Sequence, residues 1–263
     1  GKTTIIGIVC GLGQKTKGTV EVFGENIDIN SVKAKSYIGL VPQEFNFGIF
    51  EKVIDIVVNQ AGYYGIPRNI ALKDAEPILR DLSLWEKRNV QARELSGGMK
   101  RRLMIARGLI HHPKLLILDE PTAGVDVELR HEMWVYLKRL NEQGVTIILT
   151  THYLEEAEQL CKNIAIIDKG RIIKTGSVKE LVNKLSSVTL QIDVQGVISE
   201  QKLKPIHDLE PIIVDDNTFE IILKKECTLN DILERLSKDG ILVTNIRNKS
   251  SRLEEAFINL TSK

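Results

Sequence analysis

Apolar and polar positions along residues 1–185 form two patterns in turn. Short unbroken apolar runs read as strands buried on both faces, and stretches with apolar residues three or four apart read as helices. Residues 2–10 suit the opening turns of a helix, residues 19–23 a strand closed by Gly24, and residues 37–41 a strand stopped by Pro42. Residues 45–90 read mostly as helix, broken at Gly62, Gly65 and Pro67. Ser96-Gly97-Gly98 opens a basic helix that runs through Arg107. Residues 115–118 are wholly apolar and lead into two acids, and residues 145–149 form a similar run, so both are expected as buried strands. Residues 127–141 read as the helix between them, residues 154–161 as a further helix, and residues 164–167 as a strand before a turn at Gly170. This alternation predicts a doubly wound α/β domain.

Beyond about Leu185 the pattern changes. Residues 188–194 alternate apolar and polar, as a half-exposed antiparallel strand does. Residues 212–214 and 219–223 flank Asp215-Asp216-Asn217, a hairpin turn by composition. Residues 229–236 and 253–260 read as helices and residues 241–246 as a strand. The expected organisation is an α/β domain over 1–185, with a helical subdomain at about 45–104, and a small α+β appendage over 186–263.

Composition narrows the function classes. Lys and Arg number 36 against 35 Asp and Glu, a net charge of +1, which is not the electrostatic footprint of a nucleic-acid binder. No apolar run approaches the roughly 20 residues of a membrane-spanning helix. Cys10, Cys161 and Cys227 match no zinc or disulfide spacing and are expected as free thiols in a reducing compartment. The sequence starts at Gly1 rather than Met, which reads as a start inside a motif.

Three segments carry chemistry. Gly1-Lys2-Thr3 has the form in which the phosphate-binding loop G-x-x-x-x-G-K-[ST] ends, although so short a match also occurs by chance. An apolar strand at 115–118 would deliver Asp119 and Glu120 to its C-terminal tip, where open α/β sheets bind ligands. Taken alone, those acids have a lesser alternative reading as a solvated strand end. Ser96 before Gly97-Gly98 suits a plain helix N-cap, and the same geometry offers a hydroxyl and backbone amides to an anion.

Taken together, these segments point further. Leu95 to Met99, Leu115 to Glu120, Pro121-Thr122-Ala123-Gly124-Val125-Asp126 and Thr150-Thr151-His152 follow in that order. The series resembles the nucleotide-binding subunits of ABC transporters over about residues 1–185, and Val41-Pro42-Gln43-Glu44 resembles the family's Q-loop. The resemblance implies a P-loop NTPase fold, ATP hydrolysis, and ATP and Mg²⁺ as cofactors. It assigns Gly1, Lys2, Thr3 and Thr4 to the phosphate loop, and Thr3, Gln43 and Asp119 to Mg²⁺. Glu120 would be the catalytic glutamate, His152 the switch histidine at the γ-phosphate, and Gln43 would also touch the attacking water. Ser96, Gly97 and Gly98 would complete the ATP site of a partner subunit, and Asp126 would cross the dimer interface. Activity would therefore need a homodimer or a paired ABC ATPase.

Met99, where the family more often has Gln, is followed by Lys100-Arg101-Arg102-Leu103. This stretch is similar to ABC-2-type exporters, including daunorubicin-resistance-like pumps. The similarity implies a polytopic ABC-2-type permease as partner and a place on the inner face of the cell membrane. The run Lys100 to Arg102 is expected as a solvated helix face rather than a nucleic-acid contact. An importer stays open as an alternative. So does an ABC ATPase without a membrane partner, of translation or DNA-repair type, although such branches carry paired ATPase domains or long coiled coils that this sequence lacks. The resemblance also implies that the start of the phosphate loop, the strand before it and the adenine-stacking residue precede Gly1. Residues 1–263 by themselves are then expected not to turn over ATP.

Overall fold

The computed structural model describes residues 1–183, 187–224, 227–249 and Leu253. The chain divides into two compact units, Gly1–His152 and Tyr153–Lys263. The boundary expected between residues 185 and 186 lies outside the described residues, as does nearly all of the helix expected at 253–260.

The first unit begins with helix α1 (Lys2–Val9) and a short hairpin, β1 (Glu21–Val22) and β2 (Glu25–Asn26). The strand expected at 19–23 is cut to two residues because Phe23 and Gly24, at φ 48° and 82°, turn the chain straight into β2. Helix α2 (Ser31–Ser36) leads to β3 (Ile38–Val41). Three helices follow, α3 (Val53–Tyr63), α4 (Arg68–Asp81) and α5 (Gly97–Leu109). The unit continues with β4 (Leu115–Asp119), α6 (Val127–Glu142) and β5 (Thr146–Thr150).

Strands β3, β4 and β5 pair in that order as a parallel sheet. All five residues of the central β4 are buried, the reason its sequence is an unbroken apolar run. The expectation of burial fails for β5. Among the described residues it pairs with β4 alone and stands at the edge of this sheet, so Ile148 is 48% exposed. Register aligns Val41 with Leu118 and Asp119 with Thr150. The three strands therefore end together, and the segments leaving them, starting at Pro42, Glu120 and Thr151, begin along one edge of the sheet.

Helix α5 is buried nearly all round, through Leu103, Met104, Ile105, Ala106 and Leu109. It comes close to β3. A Cβ on Gly39 would lie 2.2 Å from the Gly108 carbonyl oxygen and 2.9 Å from the Pro113 ring, so only glycine permits this approach. Val53, Val57 and Ala61 of α3 and Ala71, Ala75 and Leu79 of α4 are likewise fully buried.

The second unit opens with α7 (Leu154–Leu160) and the antiparallel pair β6 (Asn163–Asp168) and β7 (Arg171–Ser177), followed by α8 (Val178–Asn183). Its main sheet has the order β11-β8-β10-β9 and is antiparallel throughout. It is built from β8 (Ser187–Val194), β9 (Ile212–Asp215), β10 (Thr218–Lys224) and β11 (Val243–Asn248), with α9 (Leu229–Lys238) between β10 and β11. Leu190, Ile192 and Val194 pack inward with Phe219, Ile221, Ile232 and Leu236, which is the alternation expected of a sheet with one covered face. The expected turn is present, with the Asn217 N–H donating to Asp215 Oδ1 at 3.0 Å. All three cysteines are unpaired. No helix among the described residues is long and apolar enough to cross a membrane.

Candidate functional site

The common strand edge gathers the charged groups. Lys2, at the start of α1, sends its ammonium to Glu120 Oε1 at 2.9 Å and to the Thr151 carbonyl at 3.1 Å. His152 Nδ1 donates to the other oxygen, Glu120 Oε2, at 2.5 Å. Glu120 is thus held by a residue from the first helix and one from the segment after β5. Its backbone is left-handed, φ 53°, a conformation non-glycine residues seldom adopt outside functional or strained positions. Its N–H donates to the Thr150 carbonyl at 3.0 Å, which fixes the turn. Burial acts to raise the Glu120 carboxyl. Hydrogen bonds from Lys2 and His152, with their charges, outweigh it and hold the group below its ordinary range, so it is an anion at neutral pH.

Asp119 ends β4 with its carboxylate buried, and Oδ1 accepts a short hydrogen bond from the Thr150 hydroxyl opposite it in register. Thr3 and Thr4 are exposed at the start of α1, where the first backbone amides of a helix lack intrahelical partners. Gln43 is exposed two residues beyond β3. A carboxylate, a hydroxyl and an amide oxygen are the hard donors that Mg²⁺ takes, so Asp119, Thr3 and Gln43 fit that ion in kind. No group of three His, Cys, Asp or Glu side chains among the described residues offers an alternative metal centre.

Two further positions lie apart from this cluster. Ser96 caps α5, its hydroxyl accepting from the Met99 N–H at 3.2 Å, and Asp126 caps α6 by accepting from the Leu129 N–H at 2.9 Å. The two caps are neighbours, since a Cβ on Gly98 would lie 1.9 Å from the Leu129 side chain. A Cβ on Gly97 would meet nothing within 4 Å, so Gly97 keeps open a surface that the described residues do not fill.

Some contributions escaped the sequence reading. Thr150 orients Asp119, and the Thr151 carbonyl holds Lys2. Parallel register could have signalled Thr150, because a strand end opposite an acid is where a hydroxyl would serve. The stretch Lys100-Arg101-Arg102 is not the solvated face expected. Arg101 is 4% exposed and donates to the carbonyls of Pro42 and Gln43 at 2.9 and 2.8 Å. A guanidinium has donors enough to satisfy buried carbonyls, and that draws it inward from a helix that otherwise reads as basic.

Comparison with known proteins bears on the family and the fold. The ABC transporter family pattern matches residues 1–123. The linearmycin resistance ATP-binding protein of Bacillus subtilis is 35% identical over 271 residues, covering 100% of this chain and 86% of that protein. A Nod factor export ATP-binding protein of Cupriavidus metallidurans is 34% identical over 268 residues, covering 100% of this chain and 85% of its own. A dimeric ATP-binding cassette solved with ADP and phosphate superposes with a TM-score of 0.61 at 25% identity, over 68% of this chain and 81% of that one. An ATP-binding subunit of an ABC transporter superposes with a TM-score of 0.63 at 24% identity, over 70% and 77% of the two chains. The fold is that of the P-loop NTPases, and this chain belongs to the ATP-binding, ATP-hydrolysing proteins of ABC transporters.

Proposed function

We propose that the chain hydrolyses ATP in a dimer, as a homodimer or with a paired ABC ATPase, and that the cycle drives an ABC-2-type exporter. The observation that carries this reading is the placement of Glu120, ionised and held between Lys2 and His152 at the tip of β4. An anchored carboxylate there orients and deprotonates the water that attacks the γ-phosphate. Lys2 and the first amides of α1, with Thr3 and Thr4, bind the phosphates, as helix N-termini do. Asp119, Thr3 and Gln43 would hold Mg²⁺, which when bound neutralises charge on the β- and γ-phosphates. His152, oriented by Glu120, contacts the γ-phosphate and senses its loss.

Ser96, Gly97 and Gly98 take the phosphates of the partner subunit's ATP, and Asp126 lies at the same interface. The open surface over Gly97 supports this division of the site between two copies. The printed functions of the two relatives, linearmycin resistance and Nod factor export, support export as the direction. A polytopic permease supplies the membrane spans, and this chain works at the inner face of the cell membrane. The near-neutral charge of +1 speaks against nucleic acid as partner. The test is Glu120→Gln in the intact gene product. The variant should bind ATP, stop turning over and run as a dimer on size exclusion with ATP. A monomer that persists under saturating ATP counts against the shared site. Co-purification with a polytopic membrane protein tests the exporter.

A further inference from the structure

Two arginines of α5 reach back across the loop after β3. Arg101 donates from both terminal nitrogens, to the Pro42 carbonyl at 2.9 Å and the Gln43 carbonyl at 2.8 Å. Arg107, two helical turns on, donates to the Asn46 carbonyl at 3.0 Å and to Asn46 Oδ1 at 2.6 Å. The Arg101 guanidinium also lies 5.3 Å from the centre of the Phe45 ring. Four of the five residues from Pro42 to Phe45 and Asn46 are therefore fastened to one helix, the helix whose first turn is Gly97-Gly98. Close contact between Gly39 of β3 and Gly108 of α5 sets the distance the arginines must span.

We propose that Arg101 and Arg107 are positioning residues that clamp the Gln43 segment to α5, so that Gln43 is presented to the ATP site only in register with Ser96-Gly97-Gly98. The inference rests on the reading of Gln43 as a site residue. Its physical basis is the geometry of the fork. Two backbone carbonyls held by one buried guanidinium fix both the position and the direction of a peptide, which a single ammonium cannot do. A movement of α5 that carries the signature toward or away from a partner's nucleotide then carries the Gln43 backbone with it. A loop tied only at its ends would let the two drift independently.

The experiment compares Gln43→Ala, Arg101→Lys, Asn46→Ala and the doubles with Gln43→Ala in the intact gene product. ATP turnover, ATP affinity and thermal midpoint are measured for each. Arg101→Lys keeps the charge and loses the fork. It should lower kcat about tenfold with ATP affinity changed less than about twofold, because positioning acts on the reacting geometry rather than on binding. In the double with Gln43→Ala the loss should equal that of Gln43→Ala alone, since both act through one residue. Full additivity, or wild-type turnover in Arg101→Lys, overturns the clamp while leaving the site reading intact. Wild-type turnover in Gln43→Ala overturns the site reading itself, and the clamp with it. Should Arg101→Lys fail to fold, Asn46→Ala decides. Asn46 is exposed, and its loss removes one of the two Arg107 contacts. A fall in kcat of about twofold that vanishes in the Gln43→Ala background supports the clamp, and unchanged turnover overturns it.

Discussion

Each unit of the molecule carries a network of charged and polar side chains, and the two networks differ in where the backbone puts them. In the first unit Lys2, Glu120 and His152 converge from three segments at the end of parallel strands, and Glu120 sits in a left-handed turn. In the second, Asp193 on β8 accepts from the Thr218 hydroxyl on β10 and the Asn245 amide on β11, each at 3.1 Å. Those partners are cross-strand neighbours in an antiparallel sheet, on the face opposite the packed apolar one. The interactions are alike in kind. A parallel sheet delivers unlike groups to a common edge, where the loops leave room for a substrate. An antiparallel face pairs its groups with one another and leaves little for a ligand to use.

The largest expected difference is in turnover. Glu120→Gln should lower kcat by about 10²–10⁴ in the intact gene product, the usual worth of a general base, with little change in thermal midpoint. Asp193→Asn should leave turnover unchanged. A drop at Asp193 comparable to that at Glu120 would mean that the second unit takes part in the chemistry.

Next in size is the support under the site. Gly39→Ala places a methyl group 2.2 Å from a backbone oxygen, and neither β3 nor α5 can move without breaking its packing. The change should cost about 2–4 kcal/mol and lower the unfolding midpoint of the first unit. Gly97→Ala meets no atom within 4 Å and should leave the midpoint nearly unchanged. If it also lowers ATP turnover, the open surface over Gly97 serves another molecule. An equal loss of stability in the two variants would show that the close approach at Gly39 is misread.

These contrasts show how much was legible beforehand. Strand β4 could be read because a central parallel strand is apolar throughout, and the two acids after it mark the site. The unexpected exposure of β5 was not legible, because Val145 to Leu149 are as apolar as β4 and only the pairing order reveals an edge. Glu120, Lys2 and His152 could be singled out by motif, but their mutual contacts depend on register across strands far apart in sequence. Arg101 was misjudged for a related reason. Its burial follows from a loop some 58 residues earlier in the chain, and nothing in the local charge pattern of α5 points there.

Acid should separate the units by smaller amounts. His111 stacks on Tyr64, ring centres 3.6 Å apart, donates from Nε2 to the Ile38 carbonyl at 3.0 Å, and keeps Nδ1 buried without a hydrogen-bond partner among the described residues. Burial, with a smaller push from His112, lowers its pKa from 6.5 to about 4. The folded state thus refuses a proton that the unfolded chain accepts. Stability contributed by neutral His111 is present above pH about 6.5 and is lost as pH falls toward about 4, by roughly 2 kcal/mol once partial solvent exposure is allowed for. In the second unit, Asp208, Asp215 and Asp231 are held below their usual 3.8 by the Arg235 side chain, the Asn217 N–H and the Thr228 hydroxyl respectively, so their support is lost only below about pH 4. Trp85 and Trp134 both lie in the first unit, so tryptophan fluorescence follows that unit alone. Its midpoint should fall between pH 6.5 and 4, and His111→Gln should flatten that slope. A slope unchanged by the substitution would assign the sensitivity elsewhere.

The smallest effect tests whether the second network is structural only. Asp193 is partly exposed, and its ion pair with Arg247 is long, 3.7 Å. Such a pair contributes little in water. The hydrogen bonds to Thr218 and Asn245 are neutral-donor bonds: water can replace the acceptor for the exposed Asn245, and the buried Thr218 hydroxyl keeps a second acceptor, Asn217 Oδ1 at 3.5 Å, when the carboxylate is removed. Asp193→Ala should therefore cost about 1 kcal/mol, seen in chemical denaturation as a shift of the second unit's transition with the tryptophan signal of the first unit in place. A cost of several kcal/mol would show that this face is desolvated in the working assembly, and that something covers it.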